Sequence, residues 1–282
     1  MSINVTEELN KIQEKNKNGG LTAKDRSAIP PMEMPARDPV KRARQMDEVA
    51  LGYSAEQAIV EANRCLQCAK PFCMDGCPVN IDIPGFIKEI ANGEFKAAVD
   101  IIKKTSLLPA ICGRVCPQEK QCQGKCTVGK VWKSPEKAVS IGRLERFVAD
   151  WERENGKVTP PTVAAKTGKK VAIIGAGPAG LTVAADCARA GHEVTVFEAF
   201  HKAGGVMMYG IPEFRLPKAI VQEEISNLEK IGVKFEMNFL VGRTNTLQQI
   251  LDEKGFDAAF VGTGAGLPKF LNIPGENLIG VF

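Results

Sequence analysis

Apolar positions along the chain follow two different periods. Between about residues 54 and 152 they recur at three-and-four spacing, as in Ala58, Ile59 and Ala62, in Phe86, Ile87 and Ile90, in Phe95, Ala98, Val99 and Ile102, and in Ile141, Leu144, Phe147 and Val148. Such spacing lays an apolar stripe along one side of a helix, so this stretch reads as a set of short amphipathic helices. Ser54 followed by Gln57 has the sequence of a capping box and marks the start of the first of them. From Lys170 to Gly175 a short Val/Ile run reads as a buried strand, and strand alternates with helix from there to Phe282. Residues 1 to about 50 are polar and broken by Gly19-Gly20, Pro30-Pro31 and Pro35, which predicts an extended arm that gains order by lying on something else. Residues 155–168, with Pro160-Pro161, read as a linker. The expected organisation is an arm over 1–50, a helical domain over 51–154, the linker, and an α/β domain over 169–282, with no internal repeat.

Composition narrows the picture. At 282 residues and 44% hydrophobic content the chain can bury a real core. Its formal charge of +4 is small against 37 basic and 33 acidic residues, and no Lys/Arg block forms an arm of the kind that grips nucleic acid. No run of about 18 apolar residues is present and Met1 to Gly20 lacks an apolar signal core, so no membrane partner and a cytoplasmic location are expected. In a reducing compartment clustered cysteines point to metal or redox chemistry rather than to disulfides. Eight of the nine cysteines lie between Cys65 and Cys126, while Cys187 sits alone in an apolar helical pattern and is expected to pack in the core.

The two cysteine groups read Cys65-x2-Cys68-x4-Cys73-x3-Cys77-Pro78 and Cys112-x3-Cys116-Pro117-x4-Cys122-x3-Cys126. Close spacing lets a loop wrap thiolates around one cubane, and a proline after a ligand keeps helix from closing the loop. In two-cluster ferredoxins the cysteine before such a proline serves the other cluster, which makes Cys77 a crossover candidate. Two tetrahedral zinc sites would also use eight cysteines, but only Cys65 and Cys68 form a C-x2-C knuckle.

The second motif is VAIIGAGPAGLTVAADCARAGHEVTVFEA, Val171 to Ala199. Gly175, Gly177 and Gly180, with Pro178 and Ala179 between them, form G-x-G-x-x-G between a strand and a helix, where the glycines permit the tight turn, backbone approach to a pyrophosphate, and close helix packing. Glu198 ends the next strand, placed to accept from ribose hydroxyls. FAD and NAD share this arrangement. The later returns of the chain, Gly204-Gly205 with VMMYGIPEFRLPK and then Ala258–Val261 with Gly262-Thr263-Gly264-Ala265, suit a long buried FAD better, although Met207, Met208 and Phe214 read equally as core.

Taken together, RCLQC, ICGRVCPQE, VAIIGAGPAGL, GGVMMYGIPEFRLPK and FVGTGAGLPKFLNIPGE resemble the small-subunit family of NADPH-dependent glutamate synthase. That family includes the large subunit of NADH-dependent ferredoxin:NADP oxidoreductase and the N-terminal half of dihydropyrimidine dehydrogenase. The resemblance runs from about residue 34 to 282. It implies a helical N-terminal iron-sulfur domain, ferredoxin-like and α-helical, followed by a Rossmann-type FAD-binding domain. It further implies one 4Fe-4S cluster on Cys65, Cys68, Cys73 and Cys126, and a second on Cys77, Cys116, Cys122 and the carboxylate of Glu145, leaving Cys112 without a cluster role even though its spacing suggests one. For FAD it implies contacts from the Gly175–Gly180 loop, Glu198, Gly205, Val206, Arg215, Val241, Thr263 and Gly264. Members of the family continue past the IPGE segment into an NAD(P)H domain, so this chain, ending at Phe282, is expected to be a truncated form without the nicotinamide site. The implied activity is electron transfer between NAD(P)H and a partner subunit through FAD and the clusters. The partner is a glutamate synthase large subunit or, in the alternative, the ferredoxin-linked flavoprotein subunit of an electron-bifurcating enzyme, in an oligomer either way. A different reading is a cofactor-binding module without catalysis.

Overall fold

A computed structural model describes residues 4–156, 158, 160–266 and 269–281. The chain separates into two compact units, one of residues 1–161 with 209–227, the other of residues 162–208 with 228–282.

The first unit is helical. Its core is built by α4 (Ala55–Ala62), α6 (Ile83–Ala91), α7 (Phe95–Lys103) and α11 (Ile141–Glu154), whose apolar stripes meet through Val60, Phe86, Ile90, Val99, Ile102, Leu144 and Val148, all fully buried. The capping box read at Ser54 is present, with Gln57 N–H donating to Ser54 Oγ at 3.2 Å and Ser54 N–H to Gln57 Oε1 at 2.9 Å. Short turns carry the cysteines between the long helices. They are α5 (Phe72–Asp75), α8 (Pro109–Val115), α9 (Cys122–Lys125) and α10 (Thr127–Val131), with a 3-10 turn at Pro135–Lys137.

The arm expected to be extended is largely helical, with α1 (Val5–Lys17), α2 (Ala23–Ala28) and α3 (Pro39–Arg42). The reason is a sparse stripe hidden in a polar sequence: Val5, Leu9 and Ile12 fall on one side of α1, and Ile12, Ile29 and Met32 are buried in the helical core. A buried ion pair fastens this segment. Arg64 gives Nη1 to Glu61 Oε1 at 2.6 Å and donates to the carbonyls of Ile29, Lys137 and Ala138, while the Glu61 carboxylate accepts from the N–H groups of Met32 and Ser140. Both side chains are fully buried, so one charge pair ties the arm, the end of α4 and the entry to α11 together.

Residues 209–227 also belong to the first unit, whereas the sequence placed them in the α/β domain. The cause is local: Val49 N–H donates to the Phe214 carbonyl at 2.9 Å, and Leu216, Ile220 and Val221, the last two on α14 (Lys218–Lys230), are buried.

The second unit is a four-stranded parallel sheet, β1 (Lys170–Ile174), β2 (Glu193–Phe197), β3 (Lys234–Glu236) and β4 (Ala258–Val261), in the order β3-β2-β1-β4. Strand β1 is central, pairing Ile174 with Phe197 on one side and with Val261 on the other. Helix α12 (Pro178–Arg189) packs on β1 and β2 through Leu181, Ala184, Ala185 and Ala188. Ala172, Ile174 and Phe197 form a second core with Ile250 of α15 (Leu247–Asp252), closed by Phe239 and Phe256 around the Phe197 ring. The short α13 (Val206–Tyr209) follows the glycine pair. Cys187, expected in the core, is only half-buried on α12, because its neighbours Ala184 and Ala188 hold the packed stripe.

Candidate functional site: two thiol groups and a glycine loop

The helices bring the cysteines together in two groups that cut across the two sequence motifs. Cys65 leaves the end of α4, Cys68 lies in the loop after it, Cys73 is on α5, and Cys126 joins α9 to α10. All four line a single pocket with Phe72, Ile83, Ile87, Val128, Val139 and Ile141. Its wall is almost wholly apolar, which pushes the Cys65 thiol up to about 11 and the Cys73 thiol up to about 12, the neighbouring sulfurs adding to the effect of burial. Gln67, held at positive φ, donates Nε2 to Cys65 Sγ at 3.4 Å and to the Pro84 carbonyl at 3.1 Å, and the Cys68 thiol reaches Thr127 Oγ1 at 3.6 Å. Arg26 of α2 donates to the carbonyls of Asn63 and Cys65 at 3.1 and 3.4 Å, so the N-terminal segment braces this loop.

The second group gathers Cys77, Cys116, Cys122, Cys112 and Glu145. Burial pushes the Cys122 thiol up to about 12, with the charges of Glu145, Cys77 and Cys116 raising it further. Helices α8 and α11 cross at Gly113, where a Cβ would meet the Arg146 backbone nitrogen at 2.5 Å; at Gly142 a Cβ would overlap the Gln118 side chain. These two glycines let the Cys112–Gln118 stretch lie directly on the helix that carries Glu145. The Glu145 carboxylate is buried among these thiols, its Oε1 has no hydrogen-bond partner among the described residues, and burial with the nearby Cys116 raises its pKa well above the carboxylate range. The interaction between Cys112 and Cys116, with burial, raises the Cys112 pKa and draws Cys116 down to about 7, while Ser106 acts on Cys112 in the opposite direction.

No three His, Cys, Asp or Glu side chains among the described residues are grouped so as to hold a metal ion. A tetrahedral zinc site needs its sulfurs drawn in to about 2.3 Å from one centre, whereas a cubane places each thiolate on a different iron and spreads them around a larger body. Four thiols around one apolar pocket, and three thiols with an orphaned buried carboxylate, are donor sets that fit the larger body.

In the second unit the fingerprint glycines act as their positions demand. Gly175 has φ +101° and a Cβ there would meet the Gly262 carbonyl oxygen at 2.6 Å; a Cβ on Gly180 would fall on the Gly175 carbonyl oxygen. Gly177 differs, because its φ is ordinary and nothing lies within 4 Å of a Cβ built on it, so the chain leaves space in front of the first turn of α12. No side chain caps that helix, whose N-terminal N–H groups and dipole favour an anion. Gly205, at φ +52°, comes so close that a Cβ would sit 2.8 Å from Gly177 Cα, and Gly204 N–H donates to the Ala176 carbonyl at 2.8 Å. Glu198 is buried, accepting from Ala176 N–H at 2.7 Å and Phe200 N–H at 2.9 Å, which leaves each oxygen a further lone pair. Thr263 and Gly264 follow Gly262, whose N–H donates to the Ile174 carbonyl, and Val241 packs beside Phe239 on the second core. Val206 is exposed at the start of α13; Arg215 is exposed in the first unit, in the turn closed by its N–H to the Pro212 carbonyl. The Glu61–Arg64 pair behind Cys65 escaped sequence reasoning, since nothing in E-A-N-R distinguishes it from a solvated i,i+3 pair.

Residues 42–157 match the family model described as dihydropyrimidine dehydrogenase domain II, 4Fe-4S cluster, and residues 169–282 match the pyridine nucleotide-disulphide oxidoreductase model. Thiol groups in a helical unit followed by a glycine loop on a parallel sheet thus define an iron-sulfur domain joined to a nucleotide-binding oxidoreductase domain. The chain is 37% identical over 246 residues to the small chain of NADPH glutamate synthase of Azospirillum brasilense, covering 87% of this chain and 50% of that protein. It is 41% identical over 228 residues to the NAD-dependent dihydropyrimidine dehydrogenase subunit PreT of Escherichia coli strain K12, covering 80% and 54%, and 38% identical over 259 residues to the glutamate synthase small chain of Bacillus subtilis strain 168, covering 88% and 51%. Over most of its own length the chain is similar to glutamate synthase small chains and to the PreT subunit. It spans about half the length of the curated relatives it matches.

Proposed function

We propose that the chain is the cluster- and flavin-carrying portion of an NAD(P)H-dependent oxidoreductase of the glutamate synthase small-chain type, with a Rossmann-type FAD domain over residues 169–282 behind an iron-sulfur domain over residues 51–154. Its redox partner would be a second subunit, either a glutamate synthase large subunit or a ferredoxin-linked flavoprotein subunit. Bound FAD would supply exchange of two electrons with the nicotinamide and of single electrons with two 4Fe-4S clusters.

The chain's own residues prepare this chemistry. Cys65, Cys68, Cys73 and Cys126 would hold one cluster in the apolar pocket, where burial disfavours added charge and so tunes the potential. Cys77, Cys116, Cys122 and Glu145 would hold the other. The observation that carries the Glu145 role is its buried oxygen, without a hydrogen-bond partner among the described residues, within electrostatic reach of Cys116 and Cys122. For FAD, Gly177, Ala179 and Gly180 would present N–H groups to the pyrophosphate around Pro178, Glu198 would orient the ribose with its free lone pairs while fixing the loop through Ala176, and Gly205, Val206, Val241, Thr263 and Gly264 would line the remainder. The experiment is a cofactor inventory on anaerobically purified protein. About eight irons, eight sulfides and one FAD per chain are expected; zinc in place of iron, or absence of flavin, would overturn the proposal.

A further inference from the structure

Arg114 lies between Cys112 and Cys116 on α8, and Arg146 follows Glu145 on α11. The two helices touch at Gly113, where a Cβ would meet the Arg146 backbone nitrogen at 2.5 Å, so both arginines spring from the wall of the second thiol group. Their guanidinium groups converge on two carboxylates. Arg114 forks onto Glu48, with Nε 2.8 Å from Oε1 and Nη2 3.3 Å from Oε2, and its Nη2 also donates to Asp150 Oδ2 at 2.7 Å. Arg146 reaches the same two acids, with Nη2 3.1 Å from Glu48 Oε1 and Nε 3.2 Å from Asp150 Oδ2. Glu48 is itself pinned in place: Arg37 Nε donates to its carbonyl at 2.9 Å, and the N–H of the next residue, Val49, donates to the Phe214 carbonyl. The cations form the buried half of this network. The Arg114 and Arg146 side chains are 2% and 6% exposed, against 17% and 16% for Glu48 and Asp150. The carboxylates are thus the more screened charges, and the second thiol group feels the positive side of the network more strongly.

We propose that the buried Arg114–Arg146 pair sets the reduction potential of the second cluster, with Glu48 and Asp150 as its counterweight. The inference rests on the cluster reading above. When the oxidised cluster takes up one electron from reduced flavin, no bond is made or broken, and the added negative charge falls beside the two cations. They favour the reduced cluster, and the two acids oppose it. A network that only braced α8 against α11 would stabilise the fold without any dependence of the potential on the sign of the charge removed.

The test is a potentiometric EPR titration of the cluster-loaded chain, with iron content and melting temperature measured on every variant. Cys68→Ala, which removes a thiol of the first group, assigns the two signals. Arg146→Gln should lower the potential of the second cluster. For a charge about 10 Å away at an effective dielectric of about 20, its reduced-to-oxidised ratio at a fixed potential should fall by about tenfold. Glu48→Gln and Asp150→Asn should raise it. Arg146→Lys, which keeps the charge but not the planar donor set, should stay near the wild-type potential even where it melts earlier. The first cluster should move less than the second throughout. Shifts of the same sign in Arg146→Gln and Glu48→Gln, a shift in Arg146→Lys as large as in Arg146→Gln, or an equal movement of the first cluster would overturn the inference. Should Arg146→Gln fail to fold, the two carboxylate variants decide, since an unchanged or lowered potential in both would overturn it as well. A chain without reducible iron would overturn the cluster reading and this inference with it.

Discussion

Replacing Arg64 with Met tests how the arm and the first cysteine loop are held. Methionine fills similar volume without charge, so the change removes one buried ion-pair partner and the donors to three main-chain carbonyls, at Ile29, Lys137 and Ala138. Adding about 1–3 kcal/mol for each orphaned acceptor would overshoot, because relaxation and entering water recover part of the loss. The better guide is the cost of breaking one side of a buried pair, about 3–5 kcal/mol, since Glu61 is left without its cationic partner at a site with no exposure. Glu61→Gln should cost less, because an amide oxygen can still accept from Met32 and Ser140. The double variant should then be less destabilised than the sum by about 1–3 kcal/mol. Urea midpoints read by Trp132 and Trp151 fluorescence measure this, and iron analysis should show losses from the Cys65 site in the single Arg64 variant. A change below about 1 kcal/mol, or strict additivity, would refute the account of the pair as the fastening of the arm.

Three further outcomes are expected. Gly177→Val should leave the fold intact yet lose FAD, because a side chain there fills only the space in front of α12, whereas Gly180→Ala should destabilise the sheet domain itself by colliding with the Gly175 carbonyl; flavin absorbance and thermal melts separate the two, and retained flavin in Gly177→Val would show the loop misassigned. Glu145→Ala should lose or alter one cluster in EPR and iron content while Cys112→Ala keeps both, and the opposite pattern would give the ligand role to Cys112. Glu224 has a pKa raised to about 7, chiefly by burial, with Glu223 and Glu152 raising and Lys103 and Arg153 lowering it. The folded state therefore holds its proton more tightly than the unfolded one, so its stabilising contribution is complete below the usual carboxylate value and is lost as pH rises towards about 7. Melting temperature should fall over that window in the wild type and less so in Glu224→Gln; parallel curves would contradict the assignment.

Local patterns carried much of this architecture. Three-and-four spacing located α4, α6, α7 and α11, and the Val/Ile run with its glycines located β1 and α12, because in each case neighbours in sequence decide the outcome. The α1 helix was hidden because three apolar residues in a polar stretch only matter once a core exists to receive them. Residues 209–227 read as part of the sheet domain, since chain order says nothing of where Leu216 and Val221 find cover. For the site, cysteine spacing indicated two clusters, but which thiols share a group depends on loops meeting across the helical unit. Cys126 standing beside Cys65 and Cys73 is a tertiary fact, and so is the deep burial of Glu145, which on a helical wheel merely adjoins the apolar stripe.

The crossed membership of the two thiol groups has a consequence for how the domain comes together. Each group borrows one donor from the other motif, Cys126 going to the first and Cys77 standing with the second. On the ligand sets proposed above, a peptide carrying the first motif alone would offer three thiols of its set and one carrying the second only Cys116 and Cys122, so neither could close a four-point cage. A cluster in the first group would bridge Cys73 to Cys126 and one in the second would bridge Cys77 to Cys116, each shortening the loop the other must close, so filling one cage would prearrange the other. The two cages behave as linked clasps: stripping iron from one is expected to loosen its neighbour, and a partly loaded population should be scarce compared with empty and doubly filled chains.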